Sequence, residues 1–591
     1  MKRKAVFIEP EIPYAGEVPL TPNVRPVIVL KGSDYDMGYQ WYQQLVHIYG
    51  HGPLVERAGR KFAAKHLKSL KAFQWYIRKY VPEMIDMLKG MVAGAKDAGV
   101  SLSYEEVLAK WSLDAIAGET EFFQKITSRA YEQVSSEVSG IDAYAIPSDS
   151  ENEPLPPEED CSGFAAWGST TRDGKLICGG NGDHQNILGI NEINNFEYVV
   201  VVFPEQGNNF IFSTSTGCCW HPAMNNQGVV MFHHGCTGYY RRYLRPEEQH
   251  YGYGVPNTMI TLHALRNSGS AKEAMDIVLS LPSGNGRMGG AWADVNGNAF
   301  VIENRDNPRC IRRPGDNNET DFIYVTNNLF SKELEHAMRP PPGGNVFIPH
   351  GGWLGTGQTV SSVARNLQLW DMLDRYQGHV DLDFAKMMYR FTGDPPDYPT
   401  LEEADATYYP SQGKGWNPRI GSLDNAMVGV LRPDRGHEGL YYVSNGCPAP
   451  ATSPLSPGGH FYRIAPTYSF YELKLDRTLE KLTKAAQDRA HYDLYYANRE
   501  LRKLNYGDPA YAPLDGIFNQ AAIEWQKGEY YQRYAINTEG NESTNYWGKV
   551  TRAFTRCQAL ARHVYNALVP PAAKPEDLGL KPWEYWKTDA K

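Results

Sequence analysis

Apolar and polar positions change their rhythm several times along this chain of 591 residues, and each change predicts a different kind of structure. Residues 1–33 are Pro-rich and extended, ending in the apolar run Val27 to Leu30. From about 34 to 118 the spacing is mostly helical, as at Met84, Met87, Leu88, Met91 and Val92, and Ser101 or Ser103 is placed to cap the next helix. A second helical stretch is predicted over roughly 119–137. The pattern then breaks at 147–160, where PSDSENEPLPPEED holds four prolines and six acids with one apolar side chain, Leu155. Such a segment cannot bury enough surface to order itself, so it reads as an exposed linker.

The linker ends abruptly at Cys161, and short alternating segments follow: FAAWGST, KLICGGN, EYVVVVFP, NFIFSTST and GVVMFHH. Turn signals at Arg172-Asp173-Gly174 and Asn225-Asn226-Gln227-Gly228 separate them, as in antiparallel hairpins. Helices are predicted near 256–267 and 271–281, then a hairpin turning on Val295-Asn296-Gly297. A strand at 322–326, a helix at 360–377 and strands at 425–431 and 440–444 complete a layered α+β body. From about 470 to 565 the pattern is again largely helical. The predicted organisation is a helical N-terminal region (1–146), the linker (147–160), a core (161–470) and a helical C-terminal extension (471–591).

Composition narrows the classes. The net charge of −9, without a Lys/Arg run, argues against nucleic acid as a partner. No stretch approaches the ~18 consecutive apolar residues of a membrane helix, so no membrane partner is expected. The start, MKRKAVFIEPE, has only four apolar residues before Glu9, where a secretory segment needs about 7–15, so a cytoplasmic protein is expected. The eight cysteines show no paired C-x-x-C spacing. His233 and His234 are adjacent and would face opposite sides of a strand. Neither a metal nor a cofactor is expected.

The junction at Cys161 carries the chemistry. Cleavage of the Asp160–Cys161 bond would put a thiol and an α-amine on one residue. An α-amine has a reference pKa near ~8, so it can be substantially neutral and accept the thiol proton without a histidine. The cut can be self-catalysed, because the thiol can attack the preceding carbonyl and water can release the resulting ester. A buried structural cysteine beside a loop is the alternative reading of the same residues.

Short motifs add to this. They are D-C-S-G-F-A-A-W-G at 160–168, G-G-N-G-D at 179–183, A-M-N-N-Q-G-V-V at 223–230 and G-V-P-N at 254–257. W-A-D-V-N-G-N-A-F-V-I-E at 292–303, V-T-N-N at 325–328 and S-S-V-A-R at 361–365 follow in order. In this order the chain resembles the acyl-coenzyme A:6-aminopenicillanic acid acyltransferase family. It is more distantly similar to the choloylglycine hydrolases and penicillin V acylases of the same N-terminal-nucleophile superfamily. The early segment L-K-G-S-D-Y-D-M-G-Y-Q at 30–40 resembles the family's precursor region.

The resemblance implies an N-terminal-nucleophile αββα sandwich and a precursor that cuts itself before Cys161. It implies an amide hydrolase or acyltransferase that works on a small-molecule amide through a thioester on Cys161. Carried over by motif, Cys161 is the nucleophile and its freed amine the base, and Asp183 holds that amine. Asn327 donates its amide to the oxyanion, where one donor is typically worth ~3 kcal/mol. Arg365 places a positive charge nearby, favouring thiolate and anchoring Asp183. A backbone N–H near His234–Gly235 is a candidate second oxyanion donor. Trp220, His221, Tyr239 and Tyr240, expected in loops after core strands, are candidates for an acyl pocket.

The chain departs from the choloylglycine branch at Gly180, where that branch carries arginine, and at Ser162, where Thr is commoner. No G-x-S-x-G elbow, Walker loop or H-E-x-x-H is present. The two chains from one precursor are expected to stay associated through apolar helix faces. The C-terminal extension is expected to cover the core or to make a homo-oligomer contact. Two other readings stay open: a lipid amidase or phospholipase-B-like hydrolase of the same superfamily, and an uncleaved, non-catalytic binding protein.

Overall fold

The computed structural model describes residues 24–50, 67–112, 161–183, 198–214, 220–233, 254–283, 289–305, 307–337, 346–354, 359–391, 420, 425–434, 439–444 and 469–581. Strand β1 (Val27–Gly32) leads into helices α1 (Asp34–Tyr49), α2 (Leu67–Tyr80), α3 (Glu83–Asp97) and α4 (Tyr104–Ser112). Strands β2 (Cys161–Gly168), β3 (Gly174–Asp183), β4 (Tyr198–Pro204), β5 (Phe210–Thr214), β6 (Trp220–Asn225) and β7 (Val229–His233) follow. Next come α5 (Asn257–Asn267), α6 (Ala271–Ser280), β8 (Gly290–Asp294), β9 (Ala299–Asn304), β10 (Cys310–Arg312) and β11 (Phe322–Val325). A small hairpin, β12 (Val346–Ile348) and β13 (Gly352–Leu354), precedes α7 (Thr359–Arg375), α8 (Leu382–Met388), β14 (Asn425–Arg432), β15 (Gly439–Ser444) and β16 (Phe470–Leu475). Three long helices close the chain: α9 (Leu479–Leu501), α10 (Tyr511–Asn537) and α11 (Gly540–Leu568).

The protein is thus mixed α+β, with two large sheets. One has eight strands in the order β1-β4-β5-β6-β7-β8-β9-β10, and the other six in the order β11-β2-β3-β14-β15-β16. Pairing is antiparallel except for β1 on β4. Side chains alternate across each strand, which gives every strand two apolar faces to bury. Val199, Val201, Ile211, Val230 and Phe232 of the first sheet share a core with Ala165, Cys178, Ile323 and Leu431 of the second. The far face of the first sheet, with Val200, Phe212 and Trp292, packs against Trp41, Phe73 and Leu88 of the N-terminal helices. The far face of the second, with Phe164 and Tyr324, packs against Leu373 of α7 and Phe384 of α8. Where Gly163 faces the first sheet a side chain would not fit: a Cβ there would lie 2.3 Å from the Phe232 carbonyl oxygen.

Local signals explain the turns. Asn225 Oδ1 accepts from the N–H groups of Gln227 and Val229, both at 3.0 Å, and so closes the β6–β7 turn. Ser33 caps α1 by accepting from Asp36 N at 3.2 Å, and Ser270 caps α6 by accepting from Glu273 N at the same distance.

Two expectations are corrected. The N-terminal region is not helical alone, because Val27–Gly32 enters the eight-stranded sheet as an edge strand. Its open edge is covered by side chains of α1. Gln44 accepts from Val29 N at 3.1 Å and donates to Val29 O at 2.7 Å, and Gln40 treats Lys31 likewise at 2.7 and 2.8 Å. Each glutamine amide thus takes the place of a missing strand neighbour. Arg552 of α11 donates to Val27 O at 3.1 Å, so the C-terminal extension also grips this strand. The second correction is β16, which opens the region expected to be helical and completes the six-stranded sheet. The expected helix over 119–137 and the linker at 147–160 lie outside the described residues. Among the described residues no helix is long and apolar enough to cross a membrane.

Candidate active site at Cys161

Cys161 is the first residue of β2 and pairs with Gly182 of β3. The alternation that turns Ala165 toward the core between the sheets turns Cys161 the same way, at the strand's end, where it is 4% exposed. On its other side β11 pairs with β2 only as far as Val325↔Gly163. Continuing that antiparallel register would set residue 327 opposite residue 161. There a side chain replaces the ladder: Asn327 Oδ1 accepts from Cys161 N at 2.7 Å.

Arg365 reaches the same point from α7 and is 1% exposed. Its guanidinium donates to the Cys161 carbonyl oxygen, to Ser162 Oγ at 2.7 Å, to Asn327 Oδ1 at 3.2 Å and to Ser362 Oγ at 3.3 Å. Asn181 of β3 accepts from Ser162 N at 2.8 Å. Tyr389, just past α8, donates to the Ser162 carbonyl oxygen at 3.5 Å. Four side chains from four parts of the fold therefore meet the N–H and C=O groups of two consecutive residues.

The orientation of Asn327 follows from its partners. Two N–H donors hold its oxygen, so the opposite end of the amide, Nδ2, carries its two hydrogens as the donor end. The neighbours of Asn327 are fixed from the helix side. Thr326 Oγ1 donates to Ser362 O at 2.8 Å, Asn328 Nδ2 to Gly351 O at 2.7 Å, and Asn366 Nδ2 to Asn328 Oδ1 at 2.6 Å.

The fold brings Cys161, Asn327 and Arg365 together. It also places the backbone of Asp183 one residue beyond Gly182, the partner of Cys161; the Asp183 side chain lies outside the described residues. Asp160, His234, Gly235, Tyr239 and Tyr240 lie outside them too. Trp220 and His221 open strand β6, rather than lying in a loop as expected. Their side chains are not among the described ones. Asn181, Ser162 and Tyr389 join the site without having been expected there in these roles. Asn181 was visible inside the G-G-N-G-D motif, whereas nothing near Tyr389 in the sequence marks it.

Two of the other described cysteines, Cys178 and Cys557, lie away from this site. Burial pushes the Cys178 thiol well above the ordinary range, and it packs in the core between the sheets. Burial likewise raises Cys557 of α11. Burial thus favours the protonated thiol at both. Among the described residues no group of three or more His, Cys, Asp or Glu is gathered closely enough to hold a metal ion. In comparison with known proteins, no family model and no curated sequence matches this chain.

Proposed function

We propose that the layered α+β body is an N-terminal-nucleophile αββα sandwich. In this proposal the chain is a self-cleaving cysteine amide hydrolase or acyltransferase that acts on a small-molecule amide. The observation that carries it is the convergence of Asn327, Arg365, Asn181 and Tyr389 on the backbone of residues 161 and 162. Ladder hydrogen bonds suffice for an ordinary strand. Side chains aimed at one point of the backbone fix that point, which is what attack on the preceding carbonyl requires.

In the first step Cys161 Sγ adds to the carbonyl carbon of Asp160. The C–N bond to Cys161 breaks, the nitrogen leaves as the α-amine, and a thioester remains. Water attacks the thioester, releasing the Asp160 carboxylate and returning the proton to the thiol. In the second reaction the freed amine takes the thiol proton and Sγ adds to the substrate's amide carbon. The Asn327 Nδ2 hydrogens stabilise the oxyanion. The leaving amine takes the proton back from the ammonium and departs, and water or a second amine accepts the acyl group. The Arg365 charge beside the amine favours its neutral, proton-accepting form.

Cleavage divides the chain into fragments of 160 and 431 residues (591 − 160). Strand β1, paired with β4 and gripped by Arg552, keeps the smaller fragment in place. Cys161→Ala is expected to give a single species of the full 66.5 kDa mass with no amidase activity. Two fragments from that variant, read by intact-mass spectrometry, would remove the nucleophile assignment.

A further inference from the structure

Outside the group around Cys161, the ion pairs among the described residues that are most deeply buried at both ends join the trio Glu303, Arg312 and Glu319. Glu303 lies on β9 and Arg312 on β10, and their side chains are only 2% and 3% exposed. Arg312 Nε stands 3.7 Å from Glu303 Oε1, and its NH1 donates to Glu319 Oε1 at 2.7 Å. Burying such charges is costly, and an apolar trio of the same size would often be at least as stable. What distinguishes the trio is its targets.

Glu303 Oε1 accepts from Phe330 N at 3.1 Å, and Oε2 accepts from Ser331 N at 2.9 Å and from the Ser331 hydroxyl. Arg312 NH2 donates to the Tyr324 carbonyl oxygen, and the guanidinium lies 4.4 Å over the Phe330 ring. Tyr324 precedes Asn327 by three residues and Phe330 follows it by three. The eight-stranded sheet thus grips the Asn327 turn on both sides, while Ser362, Asn366 and Gly351 hold its middle from the opposite side.

We infer that Glu303 is a positioning residue: anchored on the other sheet and braced by Arg312, it sets the Asn327 turn against Cys161. The inference rests on the proposed role of Asn327. Gln at 303 would keep one acceptor oxygen but replace the other by a donor, which would then face Ser331 N–H, and it would remove the charge that Arg312 pairs. The expected consequence is a small outward shift of Asn327, of the kind that slows a positioned reaction by about tenfold to a hundredfold.

The test is the first-order rate of self-cleavage in freshly synthesised full-length chain, followed by intact mass, for wild type, Glu303→Gln, Asn327→Ala and the double variant. Glu303→Gln is expected to slow cleavage, and to add nothing further once Asn327→Ala is present, because it acts through that side chain. Ser331→Ala, which removes one of the three bonds to Glu303, is expected to slow cleavage about threefold and supplies the series if Glu303→Gln does not fold. Wild-type rates in Glu303→Gln and Ser331→Ala, or losses that multiply with that of Asn327→Ala, would overturn the inference alone. Undiminished cleavage in Asn327→Ala, or none in wild type, would instead overturn the reading beneath it.

Discussion

Two buried polar clusters in this protein use similar residues to opposite ends. The first surrounds Cys161; the second lies between α8, β15, β16, α9 and α11. In the second, Lys386 Nζ sits 3.6 Å over the Tyr442 ring, and the Tyr442 hydroxyl donates to Glu472 at 2.6 Å. Arg489 joins Glu472 at 3.4 Å to Asp493 at 3.3 Å, and Arg562 also pairs with Asp493. There, side chains meet side chains and charge meets charge, which fixes how helices pack on a sheet edge. Around Cys161, side chains meet the backbone of two residues, which fixes one point of the chain. The α8–α11 cluster serves packing; in the proposed function the Cys161 cluster serves a reaction.

Substitutions in the two clusters should therefore separate stability from chemistry. Asp493→Ala takes its carboxylate from Arg562, leaves Arg489 with Glu472 alone, and is expected to cost about 3 kcal/mol of unfolding free energy. Self-cleavage of the folded fraction should stay within twofold; a large loss of cleavage there would erase the contrast. Asn327→Ala is expected to do the reverse, slowing turnover of an amide substrate about a hundredfold to a thousandfold, as loss of an oxyanion donor does. Steady-state kinetics on a chromogenic amide panel would measure it.

A weaker effect separates the clusters by pH. Burial lowers Lys386 from 10.5 to about 8. Between those values the unfolded chain holds a proton that the folded chain has released, so stability should rise with pH across that window. Below about 8 both states are protonated and Lys386 contributes no slope. Urea titrations at several pH values should show the rise in wild type and its loss in Lys386→Met. Smallest is the expected effect of Gln44→Ala, which uncovers the N–H and C=O of Val29 and should cost about 1–2 kcal/mol. A urea titration should show the loss as a lower midpoint than in wild type.

Much of the fold is legible from alternation, because antiparallel hairpins close over short distances. The β8–β9 hairpin turns at the expected residues, with Asp294 Oδ1 accepting from Asn296 N at 2.9 Å. Strand β1 was legible as an apolar run but not as a sheet member, because its parallel partner lies more than 160 residues away. Strand β16 leads straight into α9, and six residues of FYELKL cannot outweigh the helical period that follows them. At the site, Cys161, Asn327 and Arg365 stand in short ordered motifs, and the fold gathers them. Tyr389 and Glu303 owe their places to contacts between distant segments, which no local pattern encodes.

Self-cleavage at one peptide bond is tested most directly by N-terminal sequencing of the purified protein in the same preparation that hydrolyses an amide. Two polypeptides are expected, one of them beginning Cys-Ser-Gly-Phe. Full amidase activity from a chain still continuous through Asp160 and Cys161 would contradict it.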